Sequence, residues 1–75
     1  MENENFLKER EQIFKLSMKF KRNILLNETD KYLLPDYPIT PENLEIVKIY
    51  RQALRDITNN NYILPDKPEF IITMN

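Results

Sequence analysis

The pattern Y-[IL]-L-P-D-x-P occurs twice in this chain, as Tyr32-Leu33-Leu34-Pro35-Asp36-Tyr37-Pro38 and as Tyr62-Ile63-Leu64-Pro65-Asp66-Lys67-Pro68. The two copies hold four of the five prolines, and the fifth, Pro41, follows the first copy closely. Proline fixes φ, removes a backbone donor and drives the preceding residue toward extended geometry. A long helix can therefore form only before the first copy or between the two. This partition predicts an all-α, two-helix antiparallel hairpin in one small domain: helix 1 over 5–26, a Pro-containing loop over 27–40, helix 2 over 41–58 and an extended C-terminal arm over 59–75.

Helical periodicity agrees with the partition. Phe6, Ile13, Phe20 and Ile24 fall on one line of helix 1, with Leu7, Phe14, Met18 and Leu25 beside it, while Glu4/Lys8 and Glu11/Lys15 stand four residues apart in the favourable order. This stripe is broader than one partner helix covers, so part of it is expected to face another molecule. Helix 2 has the clearer start: Thr40 as N-cap, Pro41 at the first helical position, Glu42 in the first turn, and Ile39 and Leu44 placed for a hydrophobic staple. The predicted core sets Ile46, Tyr50, Leu54 and Ile57 against Phe14, Met18, Ile24 and Leu25. Each large side chain fully buried contributes roughly 1.5–3 kcal/mol, against chain entropy of comparable total size. A 75-residue chain is thus expected to gain from a partner or a second copy of itself.

Glycine is absent, which leaves asparagine to take positive φ, with Asn27 and the run Asn59-Asn60-Asn61 as the candidates. Without glycine the chain cannot form a phosphate-binding loop or a dinucleotide fingerprint. Cysteine and histidine are absent too, so disulfide staples and the usual zinc, iron and haem ligand sets are excluded, and no cofactor is expected. Nor is there a histidine base or a cysteine nucleophile, and Ser17 has no evident activator. An enzyme is not expected. Eleven Lys/Arg against twelve Asp/Glu argue against a dedicated nucleic-acid binder, although Lys15, Lys19, Lys21 and Arg22 form a local basic cluster on which a small nucleic-acid-binding regulator could be built. The acidic start Met1-Glu2-Asn3-Glu4-Asn5 is unlike a secretory leader, and no apolar run approaches the roughly 20 residues needed to span a bilayer. Both point to an intracellular protein with no membrane partner.

Two readings of the repeat stand side by side. In one, each copy is a turn with leucine and tyrosine packed inward; in the other, at least one copy is an extended docking segment. Similarly, Arg51 and Arg55 stand one helical turn apart and call for an opposite charge, which Asp30 or Asp36 in the loop, solvent, or an acidic partner could supply.

The elements Arg22-Asn23-Ile24-Leu25-Leu26, Glu28-Thr29-Asp30, Leu34-Pro35-Asp36-Tyr37-Pro38-Ile39-Thr40 and Tyr50-Arg51-Gln52-Ala53-Leu54-Arg55-Asp56-Ile57 carry a family resemblance. From Arg22 to Pro68 the chain resembles the small tail assembly chaperone domain of tailed bacteriophages, whose pattern runs R-N-x-L-L, T/S-D, L-P-D-x-P and Y-R-Q-A-L-R-D. Lys31-Tyr32 stands where that pattern carries a tryptophan. The resemblance implies a non-enzymatic viral protein, acting on a tail, fibre or capsid component in the cytoplasm of the infected host cell. A minor structural protein retained in the virion is the alternative. The residues expected to contact a partner are Phe6, Ile13 and Phe20 on helix 1, Arg51 and Arg55 on helix 2, and Tyr62, Leu64, Phe70, Ile71 and Ile72 on the arm. The second copy of the repeat, with no helix cap to feed, is expected to serve the partner and the first to serve the fold.

Overall fold

The computed structural model describes residues 2–73, with side chains described from 8 to 71. Among the described residues every regular element is helical: α1 (Glu2–Thr29), a 3₁₀ turn (Asp30–Leu33), α2 (Pro41–Arg55), a second 3₁₀ turn (Asp56–Asn59) and α3 (Glu69–Thr73). α2 runs antiparallel to α1. Arg51 reaches Leu26 and Thr29 at the C-terminal end of α1, while Tyr62, beyond the end of α2, lies against Lys15 farther back. A 28-residue helix is about 42 Å long at 1.5 Å per residue, so the first turns of α1 extend past the partner helix and the molecule measures 56 × 21 × 17 Å.

The hairpin of two helices agrees with the expectation, and so does the cap of α2. Thr40 is extended (φ −69°, ψ 153°) and its Oγ1 accepts from the Asn43 N–H at 3.1 Å, with Pro41 opening the helix. Ile39 and Leu44, the staple residues, are both half-buried. The core is formed by Val47, Tyr50 and Leu54 of α2, Ile57 of the second 3₁₀ turn and Tyr32 of the first. Met18 and Leu25 of α1 are half-buried.

Three core expectations are corrected. Ile46, Phe14 and Ile24 are exposed, and Val47 is fully buried where Ile46 was expected. The two residues are adjacent on α2, so about 100° of helix rotation separates the inward position from the outward one. On α1, Ile24 falls outside the line of Phe14, Met18, Leu25 and Thr29 that faces α2, whereas Phe14 lies on that line but about 16 Å before Leu25, where it stays 53 % exposed.

The loop boundaries shift for physical reasons as well. Asn27 does not turn the chain, because α1 continues through it to Thr29, where Arg51 of α2 donates to the Leu26 carbonyl and the Thr29 hydroxyl. Positive φ falls instead on Asn61 (φ 55°) and, unforeseen, on Tyr62 (φ 59°). The Tyr62 N–H closes back on the Ile57 carbonyl at 2.8 Å, the six-to-one bond of a left-handed helix termination.

The two repeat copies also differ. In the first, Leu34 is extended before Pro35 (φ −69°, ψ 138°), and the turn is closed by the Tyr37 N–H on the Leu34 carbonyl at 3.1 Å. Tyr32 is buried there, but Leu33 and Leu34 point to solvent. The second copy lacks that turn and runs without regular structure over 63–68. The arm is therefore extended only in part, because residues 69–73 form α3, with the Ile71 N–H donating to the Pro68 carbonyl at 3.1 Å. Pro68 holds φ near the helical value and Glu69 suits a helix start, so this copy does feed a helix, a single short one.

Candidate partner-binding surface

The best-defined polar contact joins the two helices at the base of the hairpin. Arg51 Nη1 donates to the Leu26 carbonyl at 2.6 Å and to Thr29 Oγ1 at 2.7 Å, while Nη2 pairs with Asp30 Oδ1 at 2.8 Å. The Thr29 hydroxyl in turn lies 3.0 Å from the carbonyls of Leu25 and Leu26, either of which can accept its proton. The last four carbonyls of a helix lack intrahelical partners and carry its negative dipole end. A guanidinium delivered from α2 meets both needs. Arg51, one of the residues expected to face a partner, is consequently buried and engaged inside the chain, with only Nε lacking a hydrogen bond. Of the acids expected to meet the two arginines, Asp30 takes Arg51.

Arg55 lies one turn on and is exposed, its Nη1 donating to Gln52 Oε1 at 3.4 Å, and Gln52 Nε2 lies 3.2 and 3.3 Å from the two Asp56 carboxylate oxygens. A similar division runs through the apolar candidates. Ile13 and Phe20 are each 67 % exposed on the side of α1 turned away from α2. Leu16 and Ile24 extend the same face, exposed at 62 % and 43 %. Leu16 was missed by sequence reasoning, although it stands three residues after Ile13 and four before Phe20, the spacing of one helix face. Phe6 and Ile72 have side chains outside the described set.

The arm candidates lie closer to the body. Tyr62 is half-buried, with Lys15 Nζ 5.6 Å from its ring centroid. Leu64 and Ile71 are half-buried. Phe70 packs edge-on against Tyr32 with centroids 6.0 Å apart, and Tyr37 meets Tyr32 from another direction at 5.1 Å. The arm thus returns to the first repeat copy, which supplies both tyrosines of this aromatic cluster. Sequence reasoning also passed over Ile49 on α2, 64 % exposed, and Ile63 on the arm. Ile49 stands beside the buried Tyr50 and outside the inward stripe, which is the signal that would have found it.

No helix among the described residues is long and apolar enough to cross a membrane. The described surface carries exposed apolar residues on the outer sides of α1 and α2, with charged residues beside them.

The T/S-D and Y-R-Q-A-L-R-D elements meet at the Arg51 contact with Thr29 and Asp30. The segment from Asn23 to Asp30 and the segment from Thr40 to Ile57 are therefore parts of one structural unit. No curated protein and no solved structure matches the chain. The family model described as phage tail assembly chaperone protein matches residues 16–69, which takes in the end of α1, both repeat copies and all of α2. The chain belongs to the phage tail assembly chaperone family.

Proposed function

We propose that this protein shields apolar surface on a tail or fibre protein during assembly, by protein–protein binding and without catalysis, in the cytoplasm of the infected host cell. The outer face of α1 makes the principal contact, with the exposed parts of the arm beside it. The observation that carries this reading is the exposed line of Ile13, Leu16 and Phe20 on the side of α1 turned away from α2. An apolar face of this kind is costly in water unless something covers it.

The test is capture of the full tagged chain from infected cells beside the double variant I13E/F20E. A tail or fibre protein retained by the wild type and lost by the variant supports the reading. Equal recovery with both moves the contact off α1. Mass spectrometry of purified particles then separates a transient chaperone from a structural component, since stoichiometric presence in mature virions would overturn the transient role.

A further inference from the structure

The chain's charge is unevenly distributed. Residues 8–24 carry six Lys/Arg and two Glu, a formal +4, which leaves −5 on the remainder of a chain whose total is −1. On α1 the exposed apolar line of Ile13, Leu16, Phe20 and Ile24 lies between Lys8 and Lys19 on one side and Lys21 on the other, as a period of 3.6 residues places them. Glu9, exposed one turn before Ile13, lies on the same side of the helix.

The outer face of α2 has the opposite character. Ile46 and Ile49, 43 % and 64 % exposed, share it with Ala53 and with the exposed acids Glu42 and Glu45. From Glu42 to Ala53, as from Ile13 to Ile24, the face runs about 16 Å at 1.5 Å per residue. The two faces are matched in length, both apolar along the middle, and opposite in charge. They lie on different sides of the hairpin, the α1 face turned away from α2 and the α2 face about 100° round its helix from the buried Val47, Tyr50 and Leu54.

We infer that the partner of the α1 face is the α2 outer face of a second copy of this chain, so that the hairpins stack head to tail in the order α1, α2, α1, α2. Pairing α1 with α1 would bring two +4 segments together, whereas pairing α1 with α2 places Lys19 and Lys21 near Glu42 and Glu45. Because the two faces are different patches of one protomer, the contact is heterologous and propagates until rotation closes it into a ring. A contact of three helical turns falls below the roughly 1,200 Å² of a standard interface, so the association is weak, concentration-dependent and reduced by salt. This inference requires no client. In the cell a client and a second copy compete for α1.

Sedimentation velocity on the full chain at low salt, from tens to hundreds of micromolar, is the test. The wild type is expected to gain mass with concentration and to lose that gain in high salt. Phe20→Glu removes the α1 face and Ile49→Glu the α2 face, so each variant alone is expected to stay monomeric. Their equimolar mixture is expected to form a capped one-to-one dimer, since each variant retains the face the other lacks. Helicity by circular dichroism verifies that both variants fold. Should either fail, the pair K19E/K21E and E42K/E45K serves the same purpose, with mutual rescue on mixing. A wild type that stays monomeric throughout, an Ile49→Glu variant that associates like the wild type, or a mixture that stays monomeric would each overturn the inference. Binding of anionic vesicles by a chain that does not self-associate would overturn it in favour of a membrane surface.

Discussion

Arg51 on α2 donates to the Thr29 hydroxyl on α1 across 2.7 Å, and the same guanidinium covers the Leu26 carbonyl and the Asp30 carboxylate. One side chain therefore closes the end of α1, ties it to α2 and neutralises the acid that begins the loop. Arg51→Ala leaves the Leu26 carbonyl and the Thr29 hydroxyl without this donor and is expected to cost about 1.5–3 kcal/mol, the range for hydrogen bonds to a charged group. Asp30→Asn is expected to cost under about 1 kcal/mol, because the Asp30 side chain is 60 % exposed and exposed pairs contribute little. Urea midpoints at constant slope measure both. Equal losses would place the weight on the ion pair instead of on the helix end.

The left-handed pair Asn61 and Tyr62 ends the second 3₁₀ turn in a chain that has no glycine. Asn61→Ala puts a Cβ at φ 55° without asparagine's local hydrogen bonding and is expected to lose about 1 kcal/mol. Asn61→Gly is expected to match or exceed the wild type. Thermal midpoints of the two variants give the order, and Ala equal to Gly would show that the position is not held left-handed in solution.

Phe70 is half-buried against Tyr32. Phe70→Ala is expected to destabilise by about 1–2 kcal/mol, combining partial loss of buried area with an aromatic pair worth roughly 0.5–1.5 kcal/mol. Near-ultraviolet circular dichroism should report the change through Tyr32 and Tyr37. An unchanged spectrum and stability would mean that the arm leaves the body in solution.

Burial pushes the Tyr50 hydroxyl above its ordinary pKa of 10.0, and the Glu28 carboxylate adds to the rise. The unfolded chain gives up this proton first. Stability is therefore unaffected below about pH 10, the unfolded tyrosine value, and falls as pH rises above it toward the higher folded value. Tyr50→Phe should remove this component of the alkaline loss, seen as a shallower decline in the urea midpoint from about pH 10 upward. Parallel declines in the two proteins would assign the loss to other groups.

The parts legible in the sequence were those set by local chemistry. Thr40, Pro41 and Glu42 mark the start of α2 because each satisfies a need of the first turn, while the asparagine run, in a chain without glycine, marks the end of the 3₁₀ turn that follows α2 and not of α2 itself, which stops at Arg55. What lay hidden depends on packing. Ile13, Phe20 and Leu25 are equally apolar in sequence, and only the placement of α2 decides that its coverage goes to the line of Leu25 and Thr29. Ile46 and Val47 are interchangeable by composition and differ only in rotational position. Asn27 looked like a turn because the donor that lets α1 continue, Arg51, is far away in the chain. The repeat was misleading in a similar way: identical residues take different shapes when Tyr32 lies in a 3₁₀ turn and Tyr62 in a left-handed one.

The hold of Arg51 on Thr29 also sets the angular phase of α1. Because that bond anchors the helix end to α2, the direction in which Phe20 points depends on the number of residues between it and Thr29. Adding one residue between Ile24 and Thr29 would swing Ile13, Phe20 and Ile24 by about 100° around the axis while the anchor stayed in place. A residue added before Ile13 would turn only the free end of the helix. The short stretch between Phe20 and Thr29 is in that sense the molecule's index, and length variation there would re-aim the outer apolar face of α1 without altering a single residue on it.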